Sequence, residues 1–261
     1  MSRNILSNVK FTFDWYDTLI DRLLDGGYAI KSYGESANNN SVILRHDVDW
    51  SPRKAVTLAE IEAERNVSSS FFFLLSSPFY NVLNTTERQY IERIGELGHN
   101  IGVHFDTQQY WDEQPDDEKV RQKVLSQQRI LGEIIDDPDD IVSFHNPPEW
   151  IYRQNYESFT STYEPRFFDK IKYVADSNQR WRDASPFADG FPDEFQLLTH
   201  PVLWGKQDAQ SSDRLREERD FHEMQIAKLL NQTNRTWENQ FGIQQVRNEN
   251  VEASRHQRKD G

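Results

Sequence analysis

The sequence contains no cysteine, and this absence excludes several kinds of site at once. A disulfide framework, a thiolate zinc site and a cysteine nucleophile are all ruled out. A metal ion in this protein would therefore be held by histidine, aspartate or glutamate. Those ligands suit zinc, iron, cobalt or manganese.

Long apolar runs and an excess of positive charge are missing as well. The N-terminal region has no long apolar segment, so we expect neither a signal peptide nor membrane insertion, and we predict a cytoplasmic location. The 261 residues carry a formal net charge of −13. Because a nucleic-acid-binding face must be basic, this charge argues against nucleic acid as a partner. It also disfavours binding to anionic membranes.

What the sequence does contain is an alternation of apolar and amphipathic segments. A hydrophobic content of 36% with 13% aromatic residues allows a substantial core in one large domain. The predicted strands cover residues 42–44, 68–75, 100–103, 141–144, 171–175 and 195–199. The predicted helices cover residues 13–25, 52–65, 86–97, 115–135 and 212–230, the third with a possible capping box at Thr86 and Gln89. This order is typical of parallel strands joined by helical crossovers.

Five of the predicted strands end on residues that could carry chemistry. These residues are Asp47 with Asp49, His104, His145, Asp176 and His200. On an extended chain the two aspartates of the first strand point the same way, about 6–7 Å apart at Cα, so both can face one ion or one water. One such loop alone could be a structural ion pair. The ends of several strands in a barrel, however, converge on a single pocket.

The order of these motifs resembles that of the NodB-type polysaccharide deacetylases, which are metal-dependent carbohydrate de-N-acetylases. The matching segments are His46-Asp47-Val48-Asp49, Gly98-His99-Asn100-Ile101-Gly102-Val103-His104, Phe144-His145-Asn146-Pro147, Asp176-Ser177-Asn178-Gln179-Arg180-Trp181 and Leu197-Leu198-Thr199-His200-Pro201. The resemblance implies an α/β fold, a distorted (β/α) barrel with about seven parallel strands. We predict a helical extension over residues 1–40, the barrel over 41–232 and a polar tail over 233–261.

The resemblance also implies roles for individual residues. Asp47 corresponds to the general base, Asp49 and His104 to metal ligands, and His200 to the catalytic acid. Amide hydrolysis fits these residue types, because it needs an activated water and a proton for the leaving amine.

The sequence departs from the family pattern at two positions. Gln108 stands where the family has its second ligand histidine, and His145 stands where it has an arginine. We therefore predict that the third ligand has moved to His145. The alternative is that His145 only hydrogen-bonds an aspartate and the pocket holds no metal.

Aromatic residues close to the motifs suggest a sugar-binding surface, since ring faces suit a sugar and line many ligand pockets. The predicted substrate contacts are Trp50, Trp150, Asp176, Arg180, Trp181 and Trp204. For each of them, a core or ion-pair role is an equally ordinary interpretation.

The prediction is a hydrolase that removes an N-acyl group, such as acetyl, from an amino sugar or sugar-linked intermediate. Its expected cofactor is a divalent metal, zinc first, with cobalt, iron or manganese as alternatives. A competing hypothesis is a non-catalytic, carbohydrate-binding pseudo-deacetylase that has lost a ligand. A different metal hydrolase on a true eight-stranded barrel fits less well, because the first strand offers Asp-X-Asp where such enzymes often begin with His-X-His. No oligomeric state is predicted.

Overall fold

The computed structural model describes residues 5–35 and 40–241. The strands are β1 Ala29–Lys31, β2 Ser41–Val48, β3 Ser70–Leu74, β4 Asn100–Phe105, β5 Ile141–Phe144, β6 Thr160–Ser161, β7 Lys172–Ala175 and β8 Glu194–Thr199. The helices are α1 Phe13–Asp25, α2 Pro52–Ala63, α3 Thr85–Glu96, α4 Asp117–Gly132, α5 Pro165–Phe168 and α6 Ser211–Phe241. The described residues divide into a first unit ending at Glu218 and a second beginning at Arg219.

Seven parallel strands form one curled sheet in the order β6-β5-β4-β3-β2-β8-β7, and β1 pairs with the start of β2. The predicted distorted barrel of about seven parallel strands is thus confirmed. The strands β1 and β6 were not predicted, because runs of three and two residues show no readable periodicity.

The core lies on both faces of the sheet, as the continuous apolar sequence of β3 indicates. All five residues of β3 are buried. Phe71 and Phe73 join one cluster with residues of α2, α3 and α4, whereas Phe72 packs with Tyr33 and Phe167 on the opposite face. Because side chains alternate along a strand, both faces must be covered for such a strand to be stable.

Helix starts follow local side-chain chemistry. Ser51 caps α2, and Pro52 stands at the first helical position. The predicted capping box of Thr86 and Gln89 is wrong. The cap of α3 is Asn84, whose Oδ1 accepts a hydrogen bond from the Thr86 amide at 3.0 Å. Asparagine is preferred at the N-cap over threonine, so the threonine with a glutamine three residues later was a misleading start signal here.

The last helix is longer than predicted. α6 continues to Phe241, past the residue 230 expected from the apolar pattern and through the proposed boundary at residue 232. Residues 242–261 of the predicted polar tail lie outside the described residues. Among the described helices, none is both long and apolar enough to span a membrane. The three-part division remains a prediction.

Candidate metal centre

The candidate site lies where β2, β4 and β5 end at the same edge of the sheet. Asp49 directly follows the end of β2, His104 is near the end of β4, and His145 directly follows β5. Parallel pairing places His104 opposite Ser143 of β5. The strands approach closely there because β4 carries Gly102, where a Cβ atom would lie 2.7 Å from the Ile141 carbonyl oxygen.

Three side-chain atoms converge at this edge. Asp49 Oδ1 lies 3.0 Å from His104 Nε2 and 3.2 Å from His145 Nδ1. The two ring nitrogens are 3.2 Å apart. Three atoms held about 2.0–2.1 Å from one zinc ion at tetrahedral angles would be about 3.3–3.4 Å apart. The carboxylate and both imidazoles are therefore spaced to hold one divalent ion.

The hydrogen bonds around His104 support the same conclusion. Ser143 Oγ donates to Asp47 Oδ2 at 3.0 Å and lies 3.0 Å from His104 Nδ1. With its only hydrogen committed to a carboxylate, the Ser143 hydroxyl accepts from His104 Nδ1. The Nε2 lone pair of His104 then faces the Asp49 carboxylate. Because Nε2 and Asp49 Oδ1 are both acceptors and lie 3.0 Å apart, a cation or a shared proton must lie between them. Hydrogen bonding of the outer ring nitrogen is also how ligand histidines are usually held.

Electrostatics at the site keep the carboxylate charged. Burial alone would raise the pKa of Asp49, but the neighbouring His104 and His145 rings outweigh burial and lower it well below its usual value. Burial would lower the pKa of His145, yet its hydrogen bond and attraction to Asp49 raise it. The site thus favours positive charge beside an ionised carboxylate, which is what a bound metal ion supplies.

Asp47 lies beside this centre, with its Oδ2 3.8 Å from His104 Nδ1. Its Oδ2 accepts hydrogen bonds from the Arg45 guanidinium and the Ser143 hydroxyl, each at 3.0 Å. Its Oδ1 is buried and has no hydrogen-bond partner among the residues that the structure describes. Arg45 is itself fully buried, and it also donates to Tyr163 Oη at 3.0 Å. One carboxylate oxygen is therefore fixed, and the other is available to accept a proton.

His200 is held by a separate carboxylate. Its Nδ1 lies 2.6 Å from Asp176 Oδ1, and its backbone amide donates to Asp176 Oδ2 at 2.9 Å. The indole of Trp204 donates to the same Oδ2 at 2.9 Å. Burial lowers the pKa of His200, but Asp176, together with the charges of Asp49 and Asp47, outweighs burial and raises it to about 9. His200 is therefore an imidazolium at neutral pH.

We expect His200 in the metal-free protein to titrate near pH 9, which histidine-selective NMR can follow. Asp176→Asn should bring this pKa below 9, because the carboxylate is lost while burial remains. Folding raises this pKa above the unfolded value of about 6.5. The stability from the Asp176 pair is therefore complete below about pH 6.5 and is lost as pH rises through about 9. A wild-type pKa near 6.5, or no change in the variant, would contradict the assignment.

Gln108 does not join the three converging groups. Its side chain is exposed, and its amide donates to the backbone oxygen of Asn146 at 3.5 Å. Asp49, His104 and His145 form the one cluster of potential ligands found among residues 5–35 and 40–241. Asn146 contacts the other ring nitrogen of His145 at 2.9 Å and so helps to hold that ring.

The predicted substrate contacts are only partly open to a ligand. Trp50 is partly buried and stacks on Phe79, with ring centroids 3.5 Å apart, while Trp150 is partly buried and Arg180 is exposed.

The other three predicted contacts are interior residues. Trp181 and Trp204 are 4% and 0% exposed, and Asp176 is 0% exposed. Their prediction as substrate contacts does not fit this structure, because Trp181 and Trp204 lie in a core cluster and Asp176 binds His200.

Two contributors were missed by the sequence analysis. Ser143 is the one polar residue in the buried strand Ile-Val-Ser-Phe. A polar residue at such a position indicates a hydrogen-bonding role and could have identified Ser143 from the sequence. Phe79 lies in the loop after β3, where spacing gives no indication that it would stack on Trp50.

Some solved structures are similar to this chain, at a sequence identity of 13–16%. No protein-family model and no curated protein matches the sequence. Among solved structures, a peptidoglycan N-acetylglucosamine deacetylase is 16% identical with a TM-score of 0.43, over 73% of this chain and 85% of that chain. The chitin deacetylase of the fungal pathogen Colletotrichum lindemuthianum is 14% identical with a TM-score of 0.42, over 69% of this chain and 81% of that chain.

A protein described as a pseudoenzyme also resembles the chain. It is a CE4 family pseudoenzyme from Bacillus anthracis, 13% identical with a TM-score of 0.43. The match covers 73% of this chain and 63% of that one, so the chain spans less than two-thirds of its length.

Proposed function

We propose that the protein is a metal-dependent hydrolase that removes the N-acetyl group from an amino sugar. The observation that carries the proposal is the convergence of Asp49, His104 and His145, with a buried carboxylate on one side. A divalent ion held by these three residues would lower the pKa of a water from 15.7 to about 7 and polarise the acyl oxygen. Zinc suits two imidazoles and a carboxylate.

Asp47 is the proposed proton acceptor. Its Oδ2 is held by Arg45 and Ser143, so Oδ1 is the oxygen that can take a proton from the attacking water. The water oxygen bonds to the acyl carbon as that proton moves to Asp47. Because Arg45 and Ser143 lie on the far oxygen, the carboxylate keeps its orientation throughout.

His200 is the proposed proton donor to the leaving amine. Asp176 engages its Nδ1, which leaves Nε2 to give the proton. The raised pKa, about 9, keeps this proton available at neutral pH. As the C–N bond breaks, the nitrogen takes the proton, and the products are acetate and a free amine.

Two features support an amino sugar as the substrate. The order of sequence motifs resembles that of carbohydrate de-N-acetylases. Trp50 directly follows the ligand Asp49, is partly buried and is braced by Phe79. A partly exposed aromatic ring that follows the candidate ligand in sequence can serve as a platform for the apolar face of a sugar ring.

The test begins with metal analysis of the protein purified without a histidine tag. We expect about one divalent ion per chain, and acetate release from N-acetylglucosamine oligomers that ends on chelation and returns with zinc or cobalt. His145→Ala and Gln108→Ala form a matched pair at the disputed ligand position. We expect the first to weaken metal affinity by about 10–100-fold or more and the second to leave it unchanged.

The outcomes separate the two functional hypotheses. Metal binding and sugar binding without acetate release would favour a pseudo-deacetylase. A protein without metal, with His145→Ala behaving as wild type, would refute the proposed centre.

A further inference from the structure

The strand pairing of β2 ends just before the candidate ligand Asp49. β2 pairs with β8 as far as His46 and with β3 as far as Val48. Asp49 is the next residue, so the strand ladder stops short of its backbone. Buried backbone carbonyl groups need hydrogen-bond partners, and those at this end of β2 must find them outside the sheet. These partners therefore decide how firmly the Asp49 side chain is oriented.

Two side chains from the loop after β3 supply the partners. Ser77 Oγ donates a hydrogen bond to the Asp49 carbonyl oxygen at 2.7 Å. Tyr80 Oη donates to the Val48 carbonyl oxygen at 2.6 Å. These carbonyl groups belong to the two peptide planes on either side of the Asp49 Cα atom. Because φ and ψ are the only soft backbone dihedrals of a residue, holding both planes fixes the direction in which the Asp49 carboxylate leaves the chain.

The loop that carries these two hydroxyl groups is itself firmly held. Pro78 fixes its own φ and restricts the backbone of the preceding Ser77. The Ser77 amide donates to the Leu74 carbonyl oxygen at 3.0 Å, and Ser77 Oγ accepts a hydrogen bond from the Phe79 amide at 3.2 Å. Tyr80 is 7% exposed and packs in the core cluster that contains Phe71 and Phe73. The hydroxyl groups thus connect the backbone of Asp49 to the core.

We propose that Ser77 and Tyr80 are positioning residues, which hold Asp49 in the orientation that a bound metal ion requires. Neither is one of the three candidate ligands. A ligand must be held within about 0.5 Å of its productive position, and a backbone that is free to rotate on either side of Asp49 would not achieve this. The inference rests on the proposed metal centre, but it does not depend on acetate release.

Zinc affinity tests this role, measured on the metal-free full chain by competition with a chelator and without substrate. Ser77→Ala and Tyr80→Phe each remove one hydroxyl group. We expect each change to raise the Kd for zinc by about 10-fold, and both together by about 100-fold, the range found for groups that orient metal ligands. Ser76→Ala is the matched control, because Ser76 Oγ has no hydrogen-bond partner within residues 5–35 and 40–241. Its Kd should equal that of the wild type.

A second measurement separates positioning from a purely structural role. A structural role would lower the thermal unfolding midpoint of the metal-free protein without changing the Kd. The visible spectrum of the cobalt-loaded protein depends on the geometry of the ligands around the ion. We expect this spectrum to change in Ser77→Ala and Tyr80→Phe and to stay as in the wild type in Ser76→Ala. If one variant does not fold without metal, the other still tests the role.

The outcomes distinguish this inference from the proposed function. Wild-type affinity and spectrum in both Ser77→Ala and Tyr80→Phe would overturn the positioning role, and so would an equal loss in Ser76→Ala. Weaker zinc binding by the two variants, in a protein that releases no acetate, would support the positioning role and refute the hydrolase. A wild type that binds no zinc would overturn both.

Discussion

Asp47→Asn is expected to lower kcat by about 10²–10⁴-fold, the usual contribution of a general base, with metal content unchanged. The amide oxygen of asparagine can still accept the hydrogen bonds from Arg45 and Ser143, so the local structure should persist. What is lost is the basic oxygen that takes the water proton. Initial rates of acetate release and elemental analysis of the same samples measure both quantities.

Asp49→Asn is the matched comparison, two residues away on the same strand end. Its Oδ1 contacts both His104 and His145, so we expect this variant to lose bound metal as well as turnover. Equal loss of metal in the two variants would show that the division of roles between the aspartates is wrong. Unchanged turnover in the Asp47 variant would remove the proposed base.

His200→Ala is expected to slow amide substrates by about 10²–10⁴-fold and an activated ester, such as a nitrophenyl acetate, far less. An amine leaves only when protonated, whereas a nitrophenolate leaves without a proton. The comparison is therefore made on one protein with two leaving groups, and the ratio of the two kcat/KM values is the readout.

The ester also serves as the control for correct folding. If His200→Ala lost ester and amide activity equally, His200 would be a structural residue or a ligand. The Asp176→Asn protein should resemble it in direction with a smaller effect, because its imidazole remains but holds its proton less tightly. An amide-to-ester ratio identical to wild type in both variants would contradict the proton-donor role.

The sequence was informative about the three candidate ligands because each follows a predicted strand. Parallel strands end at one edge, so Asp49, His104 and His145 could be placed together before any coordinates were known. The transfer of the third position from Gln108 to His145 was predicted from ligand chemistry, and the structure brings His145, and not Gln108, to the other two. The strand alternation likewise sufficed for the parallel sheet.

The remaining details depend on packing that local patterns do not record. Trp181 and Trp204 were predicted as sugar contacts because they follow motifs, but tertiary packing with α1 encloses them in the core. The bond from Ser143 to Asp47 joins residues 96 positions apart, and no spacing rule reaches that far. The length of α6 was underestimated because residues 231–236 are all polar, so the apolar pattern that indicated the helix stops there.

The placement of the three candidate ligands at the ends of β2, β4 and β5 has a thermodynamic consequence. These strands are brought into register only when β3 pairs between β2 and β4, so an unfolded chain offers no comparable set of ligands. An ion that binds only the native arrangement would add about 2.7 kcal/mol to the unfolding free energy at one hundred times its dissociation constant. The metal concentration would then affect the free energy of unfolding of the protein as well as its catalytic rate.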